Sequence, residues 1–175
     1  MKYWVEELIG VIFVCVLGVI SHFLYEWSGD SRLIAMFVPV NESIFEHLKI
    51  LFFPYLVWCL IQYFILGKKE SNYICAHVIG VVMGMLFIIV AFYTYSGIIG
   101  ENFVVIDILI YVLSVILTFL VSDYLTHIVL PFGDKMRYFT MITLFLILIG
   151  FAWFTFSPIR IDLFKDPLTG TYGVN

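Results

Sequence analysis

Charge is what this sequence has least of: Asp, Glu, Lys and Arg make up 13% of the 175 residues, against 63% hydrophobic ones. A soluble domain carries about a quarter charged and about half apolar residues. No soluble fold of this length hides so much apolar surface, so lipid must be the solvent for much of the chain. Basic charge is scarcer still: the net charge is −4 and the pI near 5.4, which leaves no basic face for nucleic acid. Cysteine is sparse too. Cys15, Cys59 and Cys75 each sit inside an apolar run, where a thiol acts as a small hydrophobe, and without a CxxC pair there is no disulfide framework. GxSxG, P-loop, GxGxxG and HExxH signatures are all missing. So is the internal repeat that transporters usually show.

What the chain does have is long apolar runs. About 20 consecutive apolar residues cross a bilayer, and five segments reach that length: about 4–25, 43–66, 72–96, 103–128 and 137–156. The first is too long for the apolar region of a secretory signal, carries Glu6 and Glu7, and lacks a small-x-small cleavage site, so it reads as a retained span. The fold class expected is therefore all-α, a polytopic membrane bundle of five transmembrane helices. Short connections make sequential helices antiparallel neighbours. The longer first connection contains LIAMFVPV, apolar but too short to span, which reads as an interfacial segment. Residues 1–156 form the bundle. Residues 157–175 form an extramembrane tail and candidate lid, with turn chemistry at Asp166-Pro167 and Gly170.

Lys and Arg in the loops set orientation. Lys2, Lys68, Lys69, Lys135 and Arg137 share one side, against Arg32, Arg160 and Lys165 on the other. This bias places the N-terminus in the cytoplasm and the C-terminus outside.

That topology gathers polar side chains at the outer end: His22 and Glu26 closing the first span, Glu42, Glu46, His47 and Lys49 opening the second, and Asp107 opening the fourth. Ser43 with Glu46 fits the S-x-x-E capping box, in which each side chain satisfies an orphan backbone N–H. At 100° per residue Glu42, Glu46 and Lys49 share a narrow helical face with His47 beside it. A Glu46–Lys49 pair would lower the burial cost, yet Glu42 and His47 remain over. Surplus charge at membrane depth points to a functional site. His22 and Glu26, spaced i, i+4, together with His47 and Glu42 or Glu46 supply imidazole and carboxylate ligands for a divalent cation such as zinc, with His22, His47 and Glu46 as the leading set. The bland alternative is a hydrogen-bonded helix interface. Ser43 and His47, also i, i+4, are a weaker candidate for a nucleophile and its base.

Three further patterns lie in the spans. Asp107, Tyr111, Ser114, Thr118 and Ser122 make one polar stripe, fit either for a helix–helix contact or for a cleft wall. Ala76, Gly80 and Gly84 make a small-residue face for close backbone approach. Asp123, His127 and His77 form an inner cluster, read as a salt bridge, a proton relay or a second metal site. Pro54 should kink the second span below its polar mouth.

Pro39-x-Asn41-Glu42-Ser43-x-x-Glu46-His47-x-Lys49 and Asp166-Pro167-x-x-Gly170-x-Tyr172-Gly173 together resemble a family of small multipass bacterial membrane proteins, mostly from Firmicutes, without an assigned function. The resemblance covers nearly the whole chain. It implies a bacterial cytoplasmic-membrane location, agrees with five spans, and marks the mouth of the second span and the tail as signature regions. It supplies no substrate, cofactor or catalytic residue.

The functional expectation is an outward-facing pocket lined by His22, Glu26, Glu42, Glu46, His47, Lys49 and Asp107 that binds a cation or small polar ligand, for uptake, for sensing or within a larger complex. The alternative is a membrane-embedded metal-dependent hydrolase acting on a lipid or other amphiphile. A third reading is a structural or assembly subunit. The partners expected are the bilayer and either a second copy or another membrane protein.

Overall fold

A computed structural model describes residues 2–65, 72–127 and 134–174. Lys68, Lys69 and the start of the fourth connection, on which the orientation reading partly rests, lie outside the described residues. Among those described, 80% are helical and none lies in a strand: α1 (Lys2–Trp27), a short α2 (Arg32–Ala35), α3 (Ile44–Leu60) running on into a π-helical turn (Ile61–Ile65), α4 (Tyr73–Ile99), α5 (Val104–His127), α6 (Asp134–Phe156) and a single 3-10 turn (Asp162–Phe164). Five helices are long and apolar enough to cross a membrane, as the hydropathy pattern predicts.

Their arrangement follows from solvent. The span containing α3 has the lowest mean hydropathy, 1.6, and is the most buried, at 67% of its window. The other four range from 2.2 to 2.8 in hydropathy and from 17% to 44% in burial. Lipid tolerates apolar side chains outside, so the most polar helix goes to the centre, where protein partners satisfy it. The other helices surround α3. Phe45, Phe52 and Phe53 of α3 meet Phe151 of α6 with ring centroids 5.2–5.6 Å apart. α6 packs on α4, meets α3 through these rings and makes little contact with α5, so the last helix is not the neighbour that a short connection suggests.

α4 and α5 form the tightest pair. A Cβ on Gly80 would lie 2.0 Å from Ser122 Oγ, and one on Gly84 2.0 Å from Thr118 Oγ1. The two glycines are thus the sockets for the α5 hydroxyls. Ser114, Thr118 and Ser122 are all buried, and each returns its proton to a carbonyl of its own helix 2.6–2.8 Å away. The lower part of the polar stripe is therefore a helix contact.

The proline in α3 leaves the Ile50 carbonyl without its helical N–H partner. Tyr111 of α5 supplies a donor: its hydroxyl sits 3.3 Å from Ile50 O and 3.0 Å from Val14 O of α1. It fits there because residue 18 is glycine, where a Cβ would lie 2.0 Å from that hydroxyl. One tyrosine thus ties three helices together beside Pro54.

The tail folds back on the N-terminal end of α3 and the C-terminal end of α6. Phe164 is buried against Phe45 and Phe154 at 4.5 and 5.3 Å. Asn41 Nδ2 donates to Gly173 O at 3.0 Å, and Val174 N to Thr155 O at 3.1 Å. Asp166 Oδ1 accepts from Leu168 N at 2.8 Å and Thr169 N at 3.3 Å, the turn that Asp-Pro-x-x-Gly predicts.

Candidate functional site

The capping box forms only in half. Ser43 Oγ accepts from Glu46 N at 3.4 Å, but Ser43 N donates to Asn41 Oδ1 at 2.9 Å rather than to Glu46. The Glu46 carboxylate is thereby released for other partners, and it parts company with Glu42.

Glu46 turns inward. Lys49 is fully buried, and its ammonium lies 2.6 Å from Glu46 Oε2, 2.6 Å from Thr155 Oγ1, 2.8 Å from Ala35 O and 3.2 Å from Val38 O. Glu46 also accepts from Val40 N at 3.1 Å and Thr155 Oγ1 at 3.0 Å. Two opposite charges thus neutralise each other inside the bundle and fasten the interfacial segment and α6 to α3. This network joins three segments of the fold, and neither residue lines the cavity that His22 and His47 face.

Glu42 turns outward, because it precedes the N-cap and is not bound to the helical phase. Its Oε1 lies 3.6 Å from His22 Nε2 of α1 and its Oε2 3.5 Å from His47 Nε2 of α3. The imidazole centroids are 5.3 Å apart. One ligand atom from each residue lies within 4.8 Å of the other two, and all three side chains are half-buried. The carboxylate that joins the two histidines is therefore Glu42, where the sequence favoured Glu46. Glu42 lies outside the spanning helices; contact with the His22 imidazole holds its carboxyl below the ordinary carboxylate range, partial burial opposing this and His47 reinforcing it.

Distances of 3.5 and 3.6 Å are long for direct hydrogen bonds. They run to the two different oxygens of Glu42 and are near the roughly 3.4 Å that separates donors about 2.0–2.2 Å from a tetrahedral metal. The tautomer agrees. His47 Nδ1 is 2.9 Å from Ser43 O, and a carbonyl can only accept, so Nδ1 carries the proton. The other ring nitrogen, Nε2, is then the one presented to the Glu42 carboxylate. His77 and His127 make the same bond to the carbonyl four residues back, at 2.8 Å each, so the helix itself sets this ring orientation.

These three residues line one end of a cavity of about 480 Å³. Asp107 lies on its far wall, where Tyr95 Oη donates to Oδ1 and Asn102 Nδ2 to Oδ2 at 3.4 Å. Tyr111 of α5 and Pro167 and Leu168 of the tail also line it. Four of the seven residues assigned to this pocket from sequence (His22, Glu42, His47 and Asp107) line it. Glu46 and Lys49 do not, and Glu26 is exposed outside it.

The inner cluster is divided. His77 stacks on Tyr73 at 3.9 Å and Tyr55 at 6.0 Å beside an apolar cleft between α3, α4 and α6. Asp123 and His127 pair at 3.3 Å on an exposed face and border a different cleft, next to α1. Sequence reasoning missed Thr155, Tyr95 and Asn102. A lone threonine among the aromatics of α6 was the only signal for the first, and short-range spacing gave none for the other two.

The fold and site together define a multipass helical membrane protein, built around a polar central helix, with a histidine–carboxylate cluster facing a cavity at one end. The chain belongs to a family of unknown function, DUF6512, whose model matches residues 1–174. No curated protein and no solved structure matches it.

Proposed function

We propose that this membrane protein binds a divalent cation, with zinc-like ligand preference, through His22, Glu42 and His47. The single observation carrying this reading is that both Nε2 atoms face opposite oxygens of one carboxylate at 3.5 and 3.6 Å. Three protein ligands leave a tetrahedral ion one open position, and all three residues face the cavity. That position is where a small polar ligand would bind. In the proposed setting, a bacterial cytoplasmic membrane with the N-terminus inside, the cavity faces outward. The site then serves uptake or sensing, with a second copy or another membrane protein completing a chain short for a stand-alone transporter. Titration of the detergent-purified protein with Zn²⁺ tests the reading. One equivalent should bind, and His22→Ala, Glu42→Gln and His47→Ala should each weaken binding by more than the roughly 10–100-fold typical of outer-shell partners. Glu26→Gln should leave it unchanged. Equal affinity in all five proteins would overturn the assignment.

The open position also favours a second reading, a metal-dependent hydrolase acting on an amphiphile, in which bound water is activated. Glu46 is unsuited to be its base, being held by Lys49; Asp107 is the carboxylate left in the cavity. Metal-dependent ester cleavage abolished by Asp107→Asn supports this reading, and metal binding without turnover of any ester counts against it.

A further inference from the structure

The cavity beside the proposed cation site has an unusual make-up for a polar pocket: away from its two ends, its walls are apolar. Ile50 and Ile110 form a buried floor at 7% and 8% exposure. Its rim is the reverse. Val19 on α1 and Ile108 on α5 are each 58% exposed, and Val104 70%. All three lie in spanning segments, so the surface they share with the cavity is one that lipid covers. Inward, the gap between α1 and α5 is shut by Tyr111, whose hydroxyl reaches Val14 O at 3.0 Å. Outward, Pro167 and Leu168 border it. The cavity therefore opens sideways, between the outer halves of α1 and α5, into the bilayer.

We infer that the ligand of this site is an amphiphile with an oxyanion head and an alkyl chain, entering from the membrane, its head on the cation held by His22, Glu42 and His47 and its chain along Val19, Ile50, Ile108 and Ile110. This rests on the cation site proposed above. A divalent ion bound by two neutral imidazoles and one carboxylate keeps a net positive charge, so its open position favours an anionic oxygen ligand. The volume of about 480 Å³ falls within the about 300–1,000 Å³ usual for small-molecule sites, most of which are apolar with few polar groups. A free phosphate or carboxylate would use the head site alone and leave the apolar wall without purpose.

The test uses the full chain in phosphatidylcholine nanodiscs, loaded with Zn²⁺ or stripped by chelator. Dodecyl phosphate, inorganic phosphate and dodecanol are the probes. The metal-loaded protein should bind dodecyl phosphate at least about tenfold, or about 1.4 kcal/mol, more tightly than either other probe. Stripping the metal should remove that advantage. Val19→Trp, which narrows the mouth at a lipid-facing position, should lower dodecyl phosphate affinity about tenfold and leave Zn²⁺ affinity unchanged. Ile108→Trp repeats the test from the opposite side of the gap. Equal binding of dodecyl phosphate and inorganic phosphate, or amphiphile binding indifferent to metal, would overturn the inference and leave the cation site standing. Failure to bind Zn²⁺ would overturn both.

Discussion

Replacing Lys49 by methionine keeps an unbranched side chain, one atom shorter, and removes the charge and its three donors. In the native bundle that ammonium is fully buried and contacts four acceptors on three segments, the closest at 2.6 Å. Its loss leaves the Glu46 carboxylate, itself 1% exposed, without a countercharge. Breaking a buried ion pair from one side costs about 3–5 kcal/mol, whereas removing both charges together costs far less. At roughly 2–4 °C per kcal/mol for a chain of this size, Lys49→Met should lower Tm by about 6–20 °C. Cys59 and Cys75 are free and buried, so a thiol-reactive fluorogenic dye reports the unfolding directly. Glu46→Gln should also destabilise, and the double variant should lose clearly less than the two single losses added. If the single losses are additive to within about 0.5 kcal/mol, or Lys49→Met shifts Tm by less than about 2 °C, the two charges are not a buried, mutually dependent pair.

Other consequences are equally specific. Gly84→Leu should separate α4 from α5 and cost about 1–3 kcal/mol or more, because its Cβ would fall 2.0 Å from Thr118 Oγ1; Gly97→Leu, with nothing within 4 Å, should be nearly silent in the same melt. Tyr111→Phe leaves the Ile50 carbonyl unsatisfied beside Pro54 and should lower stability by about 1–3 kcal/mol in a denaturant titration. Glu42 has a depressed folded-state pKa, so its stabilising contribution is complete above the ordinary carboxylate value. It disappears as pH falls through the lowered one, and Glu42→Gln should flatten that acid limb of a Tm–pH profile. Zn²⁺ affinity should also fall as pH drops, since protons compete for the imidazoles and the carboxylate.

The spans were legible because a lipid-solvated chain must be apolar over a fixed length, and a run of hydropathy reports that length directly. The location of α6 was not legible: a short connection constrains where a helix begins, and the aromatic contacts of Phe45 and Phe52 with Phe151 decide what it packs on. The polar stripe on α5 was visible, but its role depended on Gly80 and Gly84 facing it. At the outer end, helical spacing grouped Glu42 with Glu46 and Lys49, and that phase holds only inside the helix. Ser43 is the N-cap, so Glu46 and Lys49 obey it and find each other at 2.6 Å. Glu42, one residue earlier, escapes it and reaches His22 and His47. Pro54 gave notice of an orphan carbonyl at Ile50; that Tyr111 meets it from another helix is a tertiary fact no spacing contains. The inner histidines were grouped by depth alone, and depth does not tell which side of a helix a residue occupies.

The central claim is a cation held by two imidazoles and one carboxylate. X-ray absorption at the zinc edge of the loaded protein tests it most directly. The expected first shell is nitrogen and oxygen at about 2.0–2.2 Å with the scattering pattern of two imidazoles, losing one imidazole in His47→Ala. A sulfur-containing shell, or an all-oxygen shell identical in the wild type and His47→Ala, would contradict it.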